Sequence, residues 1–406
     1  MANITLYPSN WLYNAGVIGF LKVLEMCGEK VESFLKDDGS VEIDKSEFEK
    51  YIKDRVSVDT VQGQNFSIPK ILCEYLVVSF DKLSKEKKSD NQKQENKLIK
   101  EVWGKLFNTY YRGFFNGNTT YLYTRPEKGS EPLIHQFSSF VENMLTKNST
   151  NTWCSLCNSS NYNFSYKNKF TSEHNRILGA SVKEVPNSFW NLAKETSLNV
   201  CDFCSFILLH YHIPLVKLPD NSEIFINAPS FKIMWYLNKY AETLLEKLER
   251  KEIKQILGLS IIEMSRKIYV QLGRWEKMNI EVVIKYREKK EGEPEDKIDF
   301  FSLPSDVVDI LSDREIANVL SQINEFKVLE LILDEKFREV LSFGERVFRI
   351  GVKQGEKKQI SGNLEDNFIE NNVRLEKNRK NLIEFAQKLF KLYALIDSKL
   401  KREVIV

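Results

Sequence analysis

The residues best suited to chemistry in this chain are two Cys-x-x-Cys pairs. Cys154-Ser-Leu-Cys157 and Cys201-Asp-Phe-Cys204 are separated by 43 residues. Each tight turn directs two thiolates at one point, and together the pairs supply the four corners of a tetrahedron around a structural zinc ion. The usual spacer of a short zinc ribbon is about 15–20 residues, so we expect a globular insertion between these pairs. The spacing predicts a closed zinc site formed by Cys154, Cys157, Cys201 and Cys204.

Other uses of the two pairs remain open at this point. A thioredoxin-like redox centre requires a pair next to a βαβ pattern, and no such pattern precedes Cys154. A metal-free or disulfide form and a cysteine-ligated iron–sulfur cluster are the alternatives, although a reducing compartment disfavours the disulfide. A deaminase zinc site needs His-x-Glu and Pro-Cys-x-x-Cys, and the sequence contains neither motif.

The four histidines offer no catalytic pattern. His210 and His212 alternate in the run FILLHYHIPLV, which predicts a strand face, and we expect core residues there rather than metal ligands. His135 and His174 are isolated in the sequence. The sequence has no Gly-rich phosphate loop, nucleophile elbow or HExxH motif. We therefore predict that the chain is not an enzyme.

The overall charge is nearly balanced, with 59 basic and 57 acidic residues. This balance does not by itself indicate a nucleic-acid partner. Residues 371–402 differ, because they hold nine Lys/Arg against three Asp/Glu. Such a surplus can neutralise a phosphate backbone, and a solvated helix face is the alternative interpretation. The candidate phosphate contacts in this segment are Arg374, Lys377, Arg379 and Lys380.

The hydrophobic pattern predicts an α+β protein, in which a mixed α/β N-terminal region with the four-cysteine site precedes a C-terminal helical bundle. Residues 10–36 follow helical spacing, with Ser9 or Asn10 as the N-cap. Gly16 and Gly19 lower the helix propensity of this segment but allow another element to approach it closely.

Further along the chain, the pattern alternates between strands and helices. Strands are expected at 223–227 and 280–287. The acidic stretch EGEPEDK at 291–297 is typical of a boundary. Long amphipathic helices are expected within 305–350 and 364–402.

The start and the buried faces of the C-terminal bundle can also be predicted. Ser302 or Ser305, on either side of Pro304, begins its first helix, and Asp306 suits the positive end of the helix dipole. Two apolar series supply buried faces: Val307, Ile310, Leu311, Val319 and Leu320, and Phe385, Leu389, Leu392 and Ile396.

These elements suggest four regions and a cytoplasmic location. We expect an α/β region over 1–150, a zinc-binding region over 151–240, a connecting helix and strand region over 241–299, and the bundle over 300–406. No stretch approaches 18 consecutive apolar residues, and the N-terminus does not have the pattern of a secretory signal. We therefore expect no membrane association.

Several motifs in this order resemble one family, the CXXC-CXXC large subunits of type I CRISPR Cascade complexes, especially subtype I-B. The resemblance covers about residues 8–240. It is carried by both cysteine pairs and by three motifs: Trp11–Phe20 (WLYNAGVIGF), Pro186–Asn191 (PNSFWN) and Ile226–Phe231 (INAPSF). We interpret Trp11, Asn14, Trp190 and Asn191 within these motifs as structural residues.

The resemblance implies a non-catalytic subunit of a crRNA-guided complex in antiviral defence. Such a subunit reads a short protospacer-adjacent motif in double-stranded DNA, helps to open the duplex and recruits a separate helicase-nuclease. Its implied partners are target DNA, crRNA, the other Cascade subunits and that nuclease. Two other classes stay open: a zinc-stabilised architectural protein of a nucleoprotein assembly, and a metal-dependent nuclease.

The first candidate DNA contact is the segment 110–125. Arg112 and Arg125 can contact phosphates, while Asn116 and Asn118 offer amides to base edges from a Gly-containing loop. The alternative is an ordinary hairpin with its tyrosines in a strand core.

The second candidate DNA contact follows the first cysteine pair. Asn161, Lys167 and Lys169 lie in NYNFSYKNKF, which zinc can hold rigid for contact with DNA. An ordinary exposed loop is again the alternative.

Overall fold

The computed structural model of the chain describes residues 3–51, 60–63, 66–69, 144, 152–160, 162, 169–170, 198–218, 220–247, 253–267, 279–290, 293–356 and 364–403. These residues form strands and helices together and end in a run of helices, which confirms the predicted α+β class. The chain divides into two compact units. The first comprises Met1–Lys217, Asn221–Lys232 and Val283–Asp299, and the second comprises Leu218–Asp220, Ile233–Val282 and Phe300–Val406.

The first unit begins with two paired strands, and a buried helix lies between them in the sequence. Strand β1 (Asn3–Leu6) pairs antiparallel with β2 (Val41–Asp44), and helix α1 (Trp11–Met26) lies between them in the sequence. As predicted, Asn10 is the N-cap, and its side chain accepts a hydrogen bond of 3.0 Å from the backbone N–H of Tyr13. All side chains from Trp11 to Leu24 are buried, so α1 is a central helix of this unit.

Helix α1 is shorter than the helix predicted over 10–36. It ends at Met26, and Gly28 takes a positive φ of 92°. That conformation favours glycine and cannot continue a right-handed helix, so the chain turns away. A single 3-10 turn follows at Val31–Ser33, and helix α2 (Lys45–Tyr51) comes after β2.

Short strand pairs, helix α3 (Asp202–Leu208) and one larger sheet complete the first unit. The short pairs are β3 (Thr60–Gly63) with β4 (Phe66–Pro69), and β5 (Lys169–Phe170) with β6 (Leu198–Asn199). The larger sheet has the order β10-β9-β8-β7 and consists of β7 (Val216–Lys217), β8 (Glu223–Asn227), β9 (Glu281–Lys290) and β10 (Glu293–Ser302).

This sheet confirms two predicted strands and corrects one expectation. The strands expected at 223–227 and 280–287 are present as β8 and β9. The stretch 291–297 is not a simple boundary, because β10 begins within it at Glu293 and pairs with β9. Between β8 and β9, the buried side chains of Glu223 and Lys285 form an ion pair of 3.5 Å.

The second unit is built from helices. Helices α4 (Phe231–Lys247) and α5 (Ile253–Lys267) are followed, after the sheet strands, by α6 (Ser305–Ser312), α7 (Arg314–Ile323), α8 (Phe326–Leu333), α9 (Phe337–Glu356), α10 (Leu364–Asn372), α11 (Glu376–Lys380) and α12 (Leu382–Glu403). The helical character expected over 305–350 and 364–402 is confirmed. The first of these segments is divided into four helices, with Asp313, Asn324 and the turn before Phe337 at the breaks.

The predicted start and buried faces of this helical region agree with the structure. Helix α6 begins at Ser305, directly after Pro304, with Asp306 in its first turn. Helices α9 and α12 pack along each other in opposite directions, since Gly344 contacts Leu389 and Phe390 while Gly351 contacts Leu382 and Ile383. Every predicted core position is buried: Val307, Ile310, Leu311, Val319, Leu320, Phe385, Leu389, Leu392 and Ile396.

Within the described segments, no helix has the length and apolar character required to cross a lipid bilayer.

Candidate metal centre

Two glycines of α1 determine where the second cysteine pair lies. Helix α3 (Asp202–Leu208) carries this pair and packs against α1. A Cβ atom on Gly16 would lie 2.8 Å from the carbonyl oxygen of Ile207, and one on Gly19 would lie 2.0 Å from that of His210. Only glycine permits this backbone contact, so the predicted close approach is confirmed at both positions.

Asn14 joins the start of α1 to strand β8. Its side-chain oxygen accepts a hydrogen bond of 2.8 Å from the Ser9 backbone N–H, and its amide donates to the Ser9 carbonyl at 2.9 Å. The same amide group donates to the side-chain oxygen of Asn227 at 2.9 Å. Asn14 is 1% exposed, so its predicted structural role is supported by two hydrogen bonds to nearby Ser9 and one to the distant Asn227.

The first cysteine pair lies in a turn fixed by the backbone. The Asn158 N–H donates to the Cys154 carbonyl at 2.9 Å, and the Cys154 N–H donates to the Ser159 carbonyl at 2.9 Å. Asn158 adopts a φ of 51°, which an asparagine tolerates better than most residues. The Leu156 N–H points at the Cys154 sulfur at 3.5 Å, so the turn directs backbone dipoles at a thiolate.

The second pair uses a helix N-terminus for the same purpose. Cys201 is the N-cap of α3, and its sulfur accepts from the Cys204 N–H at 3.3 Å. The Cys201 N–H in turn donates to the Cys154 sulfur at 3.3 Å. The helix dipole and these N–H groups favour negative charge on sulfur.

The four sulfurs form one compact cluster. The Sγ atoms of Cys154, Cys157, Cys201 and Cys204 all lie within 4.8 Å of one another. In a regular tetrahedron with zinc–sulfur bonds of about 2.3 Å, each sulfur pair is about 3.8 Å apart. The Cys157 and Cys201 sulfurs are already 3.9 Å apart, too far for a disulfide, and the cysteines are free thiols.

This donor set fits a single soft cation. Four thiolates in tetrahedral arrangement suit zinc, and iron shares this preference. The irons of a larger cluster would hold the sulfurs further apart, so the spacing favours one ion. Cys154, Cys201 and Cys204 are buried and Cys157 is half-buried, which leaves little access for water. The cluster predicted from the sequence is therefore present and compatible with zinc.

Charge explains why the cluster needs a cation. Burial raises the pKa of the Cys201 and Cys204 thiols well above the ordinary value. Hydrogen bonds from Cys157, Cys201 and Cys204 hold the pKa of Cys154 far below its usual range. Burial therefore opposes negative charge on Cys201 and Cys204, whereas hydrogen bonds favour it on Cys154. A bound zinc ion supplies the positive charge with which all four can ionise.

Two tyrosines lie near the cluster, and no sequence pattern predicted their role. Tyr13 is fully buried, and its hydroxyl has no hydrogen-bond partner within the described segments. Burial, and after it the charge of Cys204, Cys157 and Cys201, raises the pKa of Tyr13 well above its ordinary value. The ring of Tyr162 stacks on Phe203 at 4.7 Å between centroids, and burial and the same cysteines raise its pKa as well. Both hydroxyls therefore stay protonated beside the sulfurs.

The histidines that follow α3 are buried, as expected, but they do not lie on a strand. His210 and His212 occupy the turns that extend α3, because the apolar run before them packs as a helix on α1. His210 Nδ1 lies 3.0 Å from the Phe206 carbonyl, and its ring contacts Phe20 and Phe206 edge-on. Burial lowers the pKa of His210 to about 4. Neither histidine joins the group of sulfur ligands.

Most of the candidate nucleic-acid contacts in the first half of the chain lie outside the described segments. These are Arg112, Asn116, Asn118, Arg125, Asn161 and Lys167. Lys169 is described by its backbone alone. It begins β5 opposite Asn199, two residues before Cys201 in the sequence, so this part of the second candidate loop is paired to the strand that leads into the metal site.

The C-terminal candidates lie together on one exposed segment. Arg374, Lys377, Arg379 and Lys380 are all exposed, at and just before α11. The Lys380 ammonium pairs with Glu376 at 2.7 Å, and the Arg379 guanidinium donates to the Arg374 carbonyl at 2.8 Å. The segment 374–380 therefore presents more positive than negative charge to solvent.

A buried carboxylate that sequence reasoning missed holds this segment in place. Glu325 is 4% exposed, and its oxygens accept from the backbone N–H groups of Arg374 at 3.0 Å and Leu375 at 2.8 Å. They also accept from the Asn378 side chain at 2.9 Å. A glutamate between two amphipathic helices usually faces water, so no local pattern distinguishes Glu325 from its exposed neighbours.

Comparison with known protein families gives a match to the region that contains the cysteine pairs. Residues 147–215 match the family model described as "CRISPR-associated protein (Cas_CXXC_CXXC)". No curated protein and no solved structure is significantly similar to the chain. The matched region contains all four clustered cysteines. The match supports a CRISPR-associated protein with a role in CRISPR defence.

Proposed function

We propose that this chain is the non-catalytic large subunit of a Cascade-type, crRNA-guided DNA surveillance complex. In this role it recognises the protospacer-adjacent motif, aids opening of the duplex and recruits a helicase-nuclease for antiviral defence. Its partners are double-stranded target DNA, crRNA, the other Cascade subunits and the nuclease. The observation that carries the proposal is the cluster of four cysteine sulfurs within the region that matches the CRISPR-associated family.

The closed geometry of the cluster supports a structural metal. Four cysteine ligands leave zinc without an open coordination position for substrate or water. The ion would be held by Cys154, Cys157, Cys201 and Cys204, and it would link the 152–160 turn to the start of α3. This arrangement favours a subunit that presents rigid loops over a metal-dependent nuclease.

We propose three nucleic-acid contacts for the subunit. Arg112, Asn116, Asn118 and Arg125 would face the duplex near the protospacer-adjacent motif. Asn161, Lys167 and Lys169 would contact DNA beside the metal site. The exposed segment 374–380 would face a phosphate backbone with the cations Arg374, Lys377, Arg379 and Lys380. The support for the last contact is its exposure and its fixed backbone.

Reconstitution tests the proposal directly. A complex of crRNA and the other subunits, with and without this chain, is titrated with duplexes that carry a matching protospacer and different flanking motifs. We expect this chain to increase affinity and to confer discrimination between the motifs. Equal binding with and without the chain would contradict the proposal and favour the architectural alternative. Metal-dependent cleavage by the purified chain would favour a nuclease.

Charge reversal then locates the contacts. Replacing the four cations of segment 374–380 by glutamate should weaken binding to all sequences and reduce the slope of log affinity against log salt by about 1 per lost phosphate contact. The matched control reverses four exposed cations elsewhere in the helical region, which are Arg314, Arg338, Arg349 and Lys391. Changing Asn116 or Asn118 to alanine should relax discrimination between motifs and leave the salt slope unchanged.

A further inference from the structure

An exposed tryptophan lies directly beside the metal site. Trp153 precedes Cys154 in the sequence, and 59% of its side chain is exposed. Large aromatic side chains that remain in water are uncommon on proteins without a partner for them. More than half of this side chain is therefore not used in packing within the chain.

The backbone beneath this ring is held firmly. The neighbouring Cys154 donates its N–H to Ser159, accepts at its carbonyl from Asn158, and receives the Cys201 N–H at its sulfur. A ligand of the metal therefore fixes the position from which the indole projects. Such a ring loses little further freedom when a partner binds, which favours binding.

The surroundings of Trp153 indicate the chemistry of that partner. Within 152–160, Leu156 is buried and Cys157 is half-buried, and the other side chains that reach the surface are small hydroxyl or amide groups. They are Thr152, Ser155, Asn158, Ser159 and Ser160. Protein-binding surfaces surround their aromatic anchors with further apolar area. A flat aromatic face among small hydrogen-bonding groups matches a nucleotide instead, which has a flat base to stack and polar edges to bind.

We propose that Trp153 is a stacking platform for an unpaired nucleobase. This inference rests on the proposed function, because opening of the target duplex supplies the unpaired base. The indole carries no charge, so its contribution adds to that of the basic residues and does not depend on salt. The platform would capture a base as it leaves the duplex and thereby oppose reannealing.

The test uses the assembled complex and a target whose strands are mismatched over a short bubble. The adenine analogue 2-aminopurine is placed in turn at each position of the bubble, because stacking on an aromatic ring quenches its fluorescence. Complexes carry the wild-type chain, Trp153→Ala, Trp153→Phe, or the control Tyr7→Ala. Tyr7 is a matched control because it is another exposed aromatic residue in the first unit, with 61% of its side chain exposed.

We expect Trp153→Ala to weaken binding to the bubble target by about 10-fold, as loss of one base–aromatic stack does. Quenching at one bubble position should be lost in the same variant. Trp153→Phe should retain most of the affinity, and Tyr7→Ala should equal wild type. Zinc content and the salt slope should be the same in all four complexes.

Two results would overturn the proposal. The first is unchanged affinity and quenching in Trp153→Ala, while the wild-type complex still binds duplex DNA and distinguishes its flanking motifs; the proposed function would then stand without the platform. The second is poor incorporation of Trp153→Ala into the complex with unchanged quenching, which would make Trp153 a contact with another subunit. Failure of the wild-type complex to bind any target would instead reject the proposed function together with the platform.

Discussion

At the scale of single residues, burial and charge oppose each other around the four cysteines. Burial of Cys201 and Cys204 favours neutral thiols, whereas the backbone N–H groups directed at Cys154 and Cys201 favour thiolates. A divalent cation satisfies both tendencies, because it neutralises the charge that burial would otherwise exclude. We therefore expect a metal bound at the four-cysteine site to stabilise the fold of the first unit.

Replacing one ligand tests this coupling. We expect one zinc per wild-type chain and markedly less in Cys204→Ser, measured by elemental analysis. The variant should also lose several kcal/mol of stability, seen as a fall in Tm of about 10 °C or more. Cys27→Ser is the control, because Cys27 lies outside the cluster at the end of α1. A metal-free wild-type protein of unchanged stability would contradict the prediction.

Tyr13 provides a finer test at the same site. Its buried hydroxyl has no hydrogen-bond partner within the described segments, but it lies near enough to Cys204, Cys157 and Cys201 for their charge to raise its pKa. We expect this hydroxyl to donate to one of these sulfurs when the metal binds, which would orient and stabilise the ligand. Tyr13→Phe should therefore lower zinc affinity by about 10-fold, measured by competition with a chromophoric chelator. Tyr240→Phe, in the second unit, serves as the control. Equal affinity of Tyr13→Phe and wild type would show that the hydroxyl makes no such bond.

The burial of His210 predicts that the free energy of unfolding falls over a defined acidic pH range. Its pKa falls from 6.5 to about 4 on folding because it is fully buried. The unfolded chain therefore binds the proton more readily, so the contribution of neutral His210 to stability is lost as pH falls from about 6.5 to about 4. The loss amounts to about 3 kcal/mol. Denaturant unfolding across this range should show a weaker pH dependence in His210→Gln than in wild type, and identical dependence would disprove the role of His210.

At the scale of elements, the contact between α1 and α3 positions the metal ligands. Gly19→Ala would place a methyl group against the backbone of His210, where a Cβ would lie 2.0 Å from the carbonyl oxygen. We expect a loss of about 3 kcal/mol, together with weaker zinc binding, because α3 must shift. Gly28→Ala is the control: it meets only the strain of a positive φ, with open space around it, and should cost about 1 kcal/mol. Similar losses in both variants would argue against close helix packing as the cause.

The elements differ in how far the sequence predicts them. Helices α6 and α12 follow clear helical periodicity, and their predicted core positions are buried. Strand β8 is present as predicted, but four successive residues in it are buried rather than alternate ones. The run before His210 is apolar at nearly every position, so its period cannot distinguish a strand from a helix, and packing on Gly16 and Gly19 decides in favour of a helix. The burial of Glu325 could not be predicted either. Its hydrogen-bond partners lie about 50 residues away in the sequence, and no local sequence pattern indicates them.

At the scale of the whole molecule, a separable bundle over 300–406 remains a prediction. The packing of α5 indicates that a stable fragment should also include this helix. Gly258 of α5 contacts Leu333, Leu311 and Leu329. A fragment of residues 300–406 would expose this apolar face, whereas 253–406 would cover it. We expect the longer fragment to unfold cooperatively with a higher Tm than the shorter one, measured by circular dichroism. Failure of both fragments to fold would contradict a separable helical region.

The segment of 43 residues between the cysteine pairs can vary in length at little energetic cost. A metal held by both pairs closes this segment into a loop, and the entropy of closing a loop rises only with the logarithm of its length. Relative to a spacer of about 18 residues, the longer segment costs about 0.8 kcal/mol more to close. A zinc ion bound by both pairs would act as a cross-link that tolerates insertions and, unlike a disulfide, does not require an oxidising compartment. The segment between the pairs can therefore lengthen or shorten widely among related chains while the four-thiolate site is preserved.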